Sequence, residues 1–254
     1  MRIQCVSTGS IGNCYIIEDE NGNYLVLDCG VSYRSLIPHL KKVPDAALVT
    51  HIHGDHAGHA RDFIKRGITV CAPYEVCDSL GRNGLAHRLP RRYSTYHRKI
   101  ETYDDFNVGH WHIQPFPVKH EAGIETVGYI IVSKIEKKVL LYATDCCELP
   151  PKLIFKFKRG KHLITHPFDE MIIECNYDNY TVVDAMLKSE DNGRSIAKQA
   201  YRHMGLNNLV KWLKNQDLSG LSTIHICHMS NRHANERLIY DTLVKETGKN
   251  IIIF

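Results

Sequence analysis

The chain has 254 residues, of which 43% are hydrophobic and 24% are charged, a composition typical of a globular protein with a full core. The net charge of +4 is compatible with an anionic substrate but does not require one. We expect neither a membrane span nor a signal peptide, because no run of about 18 apolar residues occurs and the N-terminal segment is soon interrupted by glycine. The nine cysteines are odd in number, include no C-x-x-C pair and lie mostly in apolar runs, which favours a reducing, cytoplasmic location, or the host cytoplasm if the gene is viral.

The predicted elements alternate between strands and helices along the whole chain. Apolar patterning and turn residues predict strands at 2–7, 14–18, 23–28, 46–50, 68–72, 111–118, 127–133, 138–144, 171–175, 221–227 and 251–254. Helices are predicted at 32–41, 56–66, 195–216 and 234–246. Because no linker or low-complexity segment interrupts this order, we expect a single α/β domain over residues 1–254, a four-layer αββα sandwich of two sheets faced by helices.

The strongest local signal is a cluster of metal-binding residue types that directly follows the strand at 46–50. The cluster reads His51-Ile52-His53-Gly54-Asp55-His56. Histidine and aspartate suit zinc, iron or manganese better than calcium. His51 and His53 lie two apart on an extended stretch and point the same way, whereas Asp55 and His56 follow the turn at Gly54. One segment can therefore supply two adjacent metal sites; the alternative is a histidine-rich surface loop.

Three further candidate ligands each follow a predicted strand. They are His120, Asp145 and His228. A lone histidine at a strand end is more often structural than a ligand. Three such residues in the order His, Asp, His after the cluster favour a metal site, because side chains at strand ends can converge on one edge of a sheet.

The pattern H-x-H-x-D-H resembles the signature of the metallo-β-lactamase superfamily, which also has an aspartate at the end of an early strand, here Asp28. The resemblance implies a single metallo-β-lactamase-fold domain that binds two divalent metal ions, zinc or manganese. It implies that one ion is bound by His51, His53 and His120, that a second is bound by Asp55, His56 and His228, and that Asp145 bridges both. Asp28 would orient a ligand histidine from behind.

Three segments narrow the resemblance to the YycJ/WalJ branch of this superfamily. Residues 7–15 resemble its S-G-S-x-G-N loop, residues 174–178 its E-x-N-x-D segment and residues 227–231 its G-H-L-S-N ending. The branch implies a metal-dependent hydrolase of phosphodiester bonds, a 5′-to-3′ exonuclease on DNA. The chain departs from the branch at 179–203 and 85–99, which leaves the identity of the substrate open.

Residues outside the ligand set are candidates for catalysis and substrate binding. We expect Asp55 to hold or accept the proton of the nucleophile and His203 to act as a donor or acid, although a structural role for His203 is equally compatible. Ser10 and Asn13 could donate to a phosphate, or could simply form a turn. Arg91 and Arg92 belong to a basic segment at residues 87–99 with interleaved tyrosines, a pattern that suits contact with nucleic acid.

Two other functions stay open at this point. The same metal site could serve a phosphodiesterase acting on cyclic nucleotides or other small molecules, including a viral anti-defence enzyme. A metal-binding protein without turnover is the third possibility, which the complete ligand set argues against. The expected partner is a nucleic acid or nucleotide substrate and not a membrane, and the oligomeric state, a homodimer included, is not determined by the sequence.

Overall fold

The computed structural model describes residues 1–82, 95–153, 155–159, 162–189 and 193–254. These residues form two compact units, which are treated separately below. Unit 1 comprises Met1–Phe116 and Gly123–Lys138, and unit 2 comprises Pro117–Ala122 and Val139–Phe254. The organisation of the chain as one domain stays a prediction.

Unit 1 is built on a six-stranded sheet whose strands follow one another in chain order. They are β1 (Arg2–Ser7), β2 (Cys14–Glu18), β3 (Tyr24–Leu27), β4 (Ala46–Leu48), β5 (Thr69–Ala72) and β6 (His97–Lys99). The first three strands pair antiparallel, and β3 to β6 pair parallel. The parallel strands end on the same edge of the sheet, so the residues that follow them are brought together there.

The remaining elements of unit 1 include four short helices and three more strands. They are α1 (Tyr33–Leu36) with a 3-10 turn (Ile37–His39), α2 (Gly54–Ala57), α3 (Ala60–Ile64), α4 (Tyr74–Arg82), β7 (Phe106–Val108), β8 (Trp111–Pro117) and β9 (Val127–Ser133). The helix predicted at 56–66 is two helices, because His59 adopts a non-helical φ of −107° with ψ near 8°. Buried side chains from the sheet and these helices form one apolar core, including Ile16, Val26 and Phe63.

Unit 2 contains four parallel strands in the order β15-β14-β13-β10. They are β10 (Val139–Ala143), β13 (Glu170–Glu174), β14 (Thr223–Cys227) and β15 (Asn250–Ile253). An antiparallel hairpin joins β11 (Phe155–Arg159) to β12 (His162–His166). The strands β10, β13 and β14 are almost wholly buried and rich in isoleucine, leucine and valine, as expected for parallel strands covered on both faces.

The helices of unit 2 correct one prediction. They are α5 (Asn179–Leu187), α6 (Arg194–Ala200), α7 (Leu206–Leu213) and α8 (Glu236–Thr247). The continuous helix predicted at 195–216 is wrong, because the chain leaves the helix after Ala200 and begins α7 at Leu206. The backbone of Met204 accepts a hydrogen bond from Asn176 N at 2.8 Å in this break, which holds the segment against the end of β13. Apolar periodicity on both sides of the break hid it from the sequence.

The predicted fold class is confirmed: the chain is a mixed α/β protein with two large sheets and helices. Helices α4 and α5, strands β6 and β7 and the antiparallel pair β11 and β12 were not predicted. Within the described ranges, no helix has the combination of length and apolar character that a bilayer crossing requires.

Candidate metal centre

In unit 1, the candidate ligands follow the ends of two adjacent parallel strands. Asp28 comes directly after β3, and its backbone N–H donates to Leu48 O at 2.8 Å, which joins it to the end of β4. The segment after β4 continues into Thr50 and His51, both fully buried. Asp28 has a φ of 59°, a conformation that aspartate, asparagine and histidine tolerate better than most non-glycine residues. The backbone therefore turns its buried carboxylate toward the histidine cluster.

The carboxylate of Asp28 fixes the orientation of His56. Oδ2 of Asp28 lies 2.8 Å from Nδ1 of His56, and both side chains are buried. Because a carboxylate only accepts, Nδ1 carries the proton and Nε2 keeps its lone pair. Nε2 accepts from the amide of Asn13 at 2.9 Å, which agrees with this tautomer. This is how a carboxylate commonly prepares a histidine for metal binding through Nε2.

His51 is oriented through Thr50. The Thr50 hydroxyl donates to the Asp28 carboxylate at 3.0 Å, so its oxygen accepts a hydrogen bond from Nδ1–H of His51, also 3.0 Å away. Nε2 of His51 then keeps a lone pair and accepts from Nδ1 of His53 at 2.9 Å. Asp28 thus sets the tautomers of two candidate ligands, directly for His56 and through a hydroxyl for His51.

The glycine-rich loop after β1 holds the start of α2 in place. Asn13 N donates to Asp55 O at 2.7 Å, and Gly30 N donates to Asn13 O at 2.9 Å. A Cβ on Gly30 would lie only 1.8 Å from Asp55 O, so this close approach requires glycine. The carboxylate of Asp55 is a quarter exposed and lies 3.5 Å from Nε2 of His56.

The substrate-binding residues predicted on this loop differ in their surroundings. Asn13 is fully buried, and its amide donates to Gly9 O as well as to His56. Ser10 is exposed. A role for either residue in binding substrate stays a prediction, and Arg91 and Arg92 lie outside the described residues.

In unit 2, three neighbouring parallel strands deliver the candidate residues from their carboxyl ends. Glu174 is the last residue of β13, where it pairs with Cys227 of β14. Asp145 follows β10 with a φ of 47°, and His228 follows β14 with a φ of 52°. These two residues follow the strands on either side of β13, and strained backbone of this kind is frequent at functional sites.

Glu174 is the residue that the sequence analysis missed. Its carboxylate is fully buried, with Oε1 2.6 Å from Nδ1 of His203 and 3.1 Å from Nδ1 of His228. The other oxygen accepts from the backbone N–H groups of Cys146 at 2.9 Å and Met204 at 3.1 Å. Glu174 therefore does for two histidines of unit 2 what Asp28 does for two histidines of unit 1. Its position at the end of a strand next to Asp145 and His228 was the available signal.

The pKa values of this group follow from burial and charge together. Burial raises the pKa of Glu174, but the charges of His203 and His228 and their hydrogen bonds outweigh it, so the pKa lies below its ordinary value of 4.5. Burial lowers the pKa of His203, but the charge and hydrogen bond of Glu174 outweigh it, so the pKa lies above 6.5. The pair therefore favours an ionised carboxylate beside a protonated imidazole.

His120 is held differently, by a backbone carbonyl. Its Nδ1 donates to Arg202 O at 2.9 Å, and its Nε2 lies 3.7 Å from Oδ2 of Asp145. Burial lowers the pKa of His120 more than the carbonyl and Asp145 raise it, which favours the neutral form. A neutral imidazole with its Nδ1 proton engaged is the form that binds a metal through Nε2.

The donor set of unit 2 fits a divalent metal. The candidate ligand atoms of Asp145 and His228 and the polar atoms of Glu174 and His203 all lie within 4.8 Å of one another. Nε2 of His228 lies 3.2 Å from Oδ1 of Asp145, so an imidazole nitrogen and a carboxylate oxygen meet there. Nitrogen and oxygen donors of this type suit zinc or manganese. Burial raises the pKa of the neighbouring Cys146 well above its ordinary range, which favours the neutral thiol.

The sequence-predicted residues thus form two groups. Unit 1 brings together His51, His53, Asp55, His56 and Asp28, and unit 2 brings together His120, Asp145, His228 and His203. Each group combines candidate ligands with a buried carboxylate that orients histidines from behind. The sharing of these residues between two ions stays a prediction.

The fold and these His/Asp groups define an α/β protein with a candidate metal centre. The model of the "Beta-lactamase superfamily domain" matches residues 23–226, and the chain belongs to this superfamily. The structure of the metallo-β-lactamase fold protein YhfI from Bacillus subtilis superposes with a TM-score of 0.66 at 12% identity, covering 99% of this chain and 95% of that chain. The predicted metallo-β-lactamase fold is therefore confirmed.

Two curated relatives match over part of the chain. A UPF0173 metal-dependent hydrolase from Deinococcus radiodurans is 30% identical over 83 residues, which is 33% of this chain and 36% of the relative. Anti-Pycsar protein Apyc1 of Bacillus phage BSP38 is 31% identical over 125 residues, which is 42% of this chain and 45% of the relative. The chain thus matches less than half the length of these relatives.

Proposed function

We propose that this protein is a dinuclear metal-dependent phosphodiesterase that degrades DNA as a 5′-to-3′ exonuclease. The observation that carries the proposal is the pairing of Glu174 with His203 beside the candidate ligands Asp145 and His228. In this pair, Glu174 holds a protonated imidazole of His203 near the candidate oxygen ligand Asp145. Hydrolysis of a phosphodiester requires a proton for its leaving oxygen.

The proposal assigns seven ligands to two ions, zinc or manganese. His51, His53 and His120 would hold one, Asp55, His56 and His228 the other, and Asp145 both. When bound, two such ions would activate a water molecule and neutralise the charge that develops at phosphorus. Asp28 and Glu174 keep the histidines in the tautomer that leaves a nitrogen for the ligand role.

Two residues of the chain would move protons. His203 donates from Nε2 to the leaving oxygen, because its Nδ1 is engaged by Glu174 and its pKa is raised. Asp55 takes the proton of the attacking water, because its carboxylate is partly exposed at the start of α2. The two roles are complementary, as acid and base must be in a hydrolysis near neutral pH.

The preference for DNA rests on the sequence. The loop at 7–15 and the segments at 174–178 and 227–231 resemble the YycJ/WalJ branch, which implies 5′-to-3′ exonuclease action. Asp145 supplies oxygen where the antibiotic-degrading branch of the superfamily has a cysteine, which favours phosphodiester substrates.

A second candidate is the hydrolysis of cyclic nucleotides or other small phosphodiesters. The match to a phage protein named Anti-Pycsar protein Apyc1 favours this candidate, in a viral anti-defence role. The same acid, base and ligands would serve it, so substrate size distinguishes the two candidates.

A substrate panel on the manganese- or zinc-loaded protein tests the proposal. It contains 5′-phosphorylated and 5′-hydroxyl DNA, single- and double-stranded, together with RNA, cyclic mononucleotides and bis(4-nitrophenyl) phosphate. We expect the 5′-phosphorylated DNA to be degraded fastest, with activity that falls steeply as salt is added. Faster hydrolysis of a cyclic nucleotide would favour the second candidate, and no hydrolysis of any phosphodiester by the loaded protein would refute both.

A further inference from the structure

A surface cavity of about 580 Å³ lies within unit 2 next to the candidate ligand His120. Its lining includes Glu121, Arg202 and residues of α6. Of the candidate metal ligands described above, His120 lines this cavity. Its position makes it a candidate binding site for the part of a substrate that extends away from the reacting bond.

One face of α6 and the turn after it gives the cavity its chemistry. Arg194, Ala197, Lys198 and Tyr201 all line it, at the spacing i, i+3, i+4 and i+7 that places side chains on one side of a helix. Tyr201 N donates to Ala197 O at 2.9 Å, so the helical turn continues to the tyrosine.

The two cations of α6 are available to an anion. Arg194 and Lys198 are exposed, and among the residues that the structure describes neither has an ion-pair partner. Arg202, by contrast, is engaged by Glu121, with Nη2 2.6 Å from Oε1. The lining therefore carries three cations and one carboxylate, and the charge left unpaired is positive.

The ring of Tyr201 adds a stacking surface. Its side chain is 80% exposed although it lines a cavity. An aromatic ring beside cations is the combination that proteins use to bind nucleotides, with the phosphate on the cations and the base on the ring. Neither a phosphate alone nor an apolar molecule alone would use both features.

The cavity is joined to the candidate metal ligands by one hydrogen bond. Arg202 O accepts from Nδ1 of His120 at 2.9 Å, and His203 follows directly in the chain. The same short segment after α6 therefore holds a candidate ligand, a candidate proton donor and the wall of the cavity. A nucleotide in the cavity would be next to the bond that is hydrolysed.

We propose that this cavity binds the nucleotide adjacent to the scissile phosphodiester of a DNA strand, with its phosphate between Arg194 and Lys198 and its base on Tyr201. This inference rests on the proposed function and names the part of the substrate that distinguishes a strand from a cyclic mononucleotide, which has no second phosphate. The sequence analysis placed nucleic-acid contacts at residues 87–99 and did not identify α6.

The kinetic test compares two substrates and two double variants. The substrates are a thymidine trinucleotide and its analogue in which the linkage next to the cleaved one is a neutral methylphosphonate. The variants are Arg194→Gln with Lys198→Gln, and the control Arg237→Gln with Lys245→Gln, which removes the same charge from exposed positions on α8. We expect KM for the trinucleotide to be about tenfold or more higher in the α6 variant than in the control. For the analogue, we expect this increase in KM to be several-fold smaller.

The binding test does not depend on turnover. Fluorescence anisotropy measures the affinity of EDTA-treated protein for labelled oligothymidylate. We expect the α6 double variant to bind at least about fivefold more weakly than the α8 control, and Tyr201→Ala to weaken binding about five- to 100-fold. Circular dichroism verifies that each variant is folded, which we expect because the substituted side chains are exposed.

The outcomes separate this inference from the proposed function. Hydrolysis of the trinucleotide with equal kinetics and equal binding in the α6 and α8 variants would overturn the inference and leave the function standing. Binding that depends on Arg194, Lys198 and Tyr201 in a protein that hydrolyses no phosphodiester would support the cavity and refute the function. An equal rise in KM for the trinucleotide and its analogue in the α6 variant would also overturn the placement of a phosphate in the cavity.

Discussion

The carboxylate of Glu174 lies 2.6 Å from Nδ1 of His203, in a fully buried position at the end of β13. Because the charge of Glu174 raises the pKa of His203 against the effect of burial, the pair depends on the carboxylate being ionised. The same carboxylate oxygen lies 3.1 Å from His228, so one side chain controls a candidate acid and a candidate ligand together.

Glu174→Gln tests this relationship. Glutamine keeps the size and one acceptor oxygen of the side chain but removes its charge, so His203 loses the cause of its raised pKa. We expect kcat for phosphodiester hydrolysis by the manganese-loaded protein to fall about 10- to 100-fold. The matched control is Glu170→Gln at the other end of β13, which breaks a pair with His225 at 3.0 Å. An equal loss in both variants would show that Glu174 acts only through the stability of the strand.

Asp28→Asn is expected to weaken metal binding without disrupting the backbone. Asparagine tolerates the positive φ of Asp28, but it removes the negative charge of the carboxylate that accepts hydrogen bonds from His56 and Thr50. We expect the affinity for zinc or manganese to fall about 10- to 100-fold, measured by competition with a chromophoric chelator. Unchanged affinity would mean that the tautomers of His51 and His56 do not depend on this carboxylate.

Gly30→Ala is expected to destabilise the loop around α2. The added Cβ would meet Asp55 O at 1.8 Å, so the backbone of one segment must move, at a cost of about 1–3 kcal/mol or more in the free energy of unfolding. Gly54→Ala provides the comparison, because nothing lies within 4 Å of a Cβ there. We expect its stability in urea to stay the same or rise by up to about 1 kcal/mol. Equal stabilities of the two variants would be inconsistent with the close approach at Gly30.

The surroundings of Asp178 predict that the free energy of unfolding depends on pH in the acid range. Its buried carboxylate accepts from Thr181 N and Asn235 N, each at 2.8 Å, and so joins the starts of α5 and α8. Burial raises the pKa of Asp178, but these hydrogen bonds outweigh it, so the folded pKa lies below the ordinary 3.8. The stabilisation is therefore complete above pH 3.8 and is lost as the pH falls through the lower folded value.

Urea unfolding of Asp178→Ala measures this contribution. At pH 7 we expect the variant to be less stable than the wild type by about 1–2 kcal/mol, the usual value of a helix N-cap. The difference should shrink as the pH is lowered below 3.8. A difference that stays constant down to strongly acid pH would show that the charge of the carboxylate contributes nothing.

Much of this fold could be predicted from the sequence, because strands such as β2 and β9 are apolar runs with clear turn residues at their ends. The break between α6 and α7 could not, since apolar periodicity continues on both sides of it. What sets the break is tertiary: Met204 lies against Asn176 and Glu174, residues about 30 positions away. Local patterns contain no information about such contacts.

The candidate site could be predicted in part for a related reason. The cluster at 51–56 is local, and His120, Asp145 and His228 each follow a recognisable strand. Glu174 also ends a strand, but a glutamate there is common, and only its burial against two histidines marks its role. The cavity beside α6 was missed because its cations are few and spaced by helical turns, whereas the segment at 87–99 has an obvious charge run.

The metal content of the folded protein tests the central proposal most directly. After loading with manganese or zinc and removal of the excess, elemental analysis of the wild type is predicted to give two ions per chain, with hydrolysis of phosphodiesters that EDTA abolishes. Asp145→Asn, which tolerates the positive φ of this position, is predicted to retain at most one ion and no comparable activity. A wild-type chain that retains no metal, or an Asp145→Asn variant with two ions and full activity, would contradict the account.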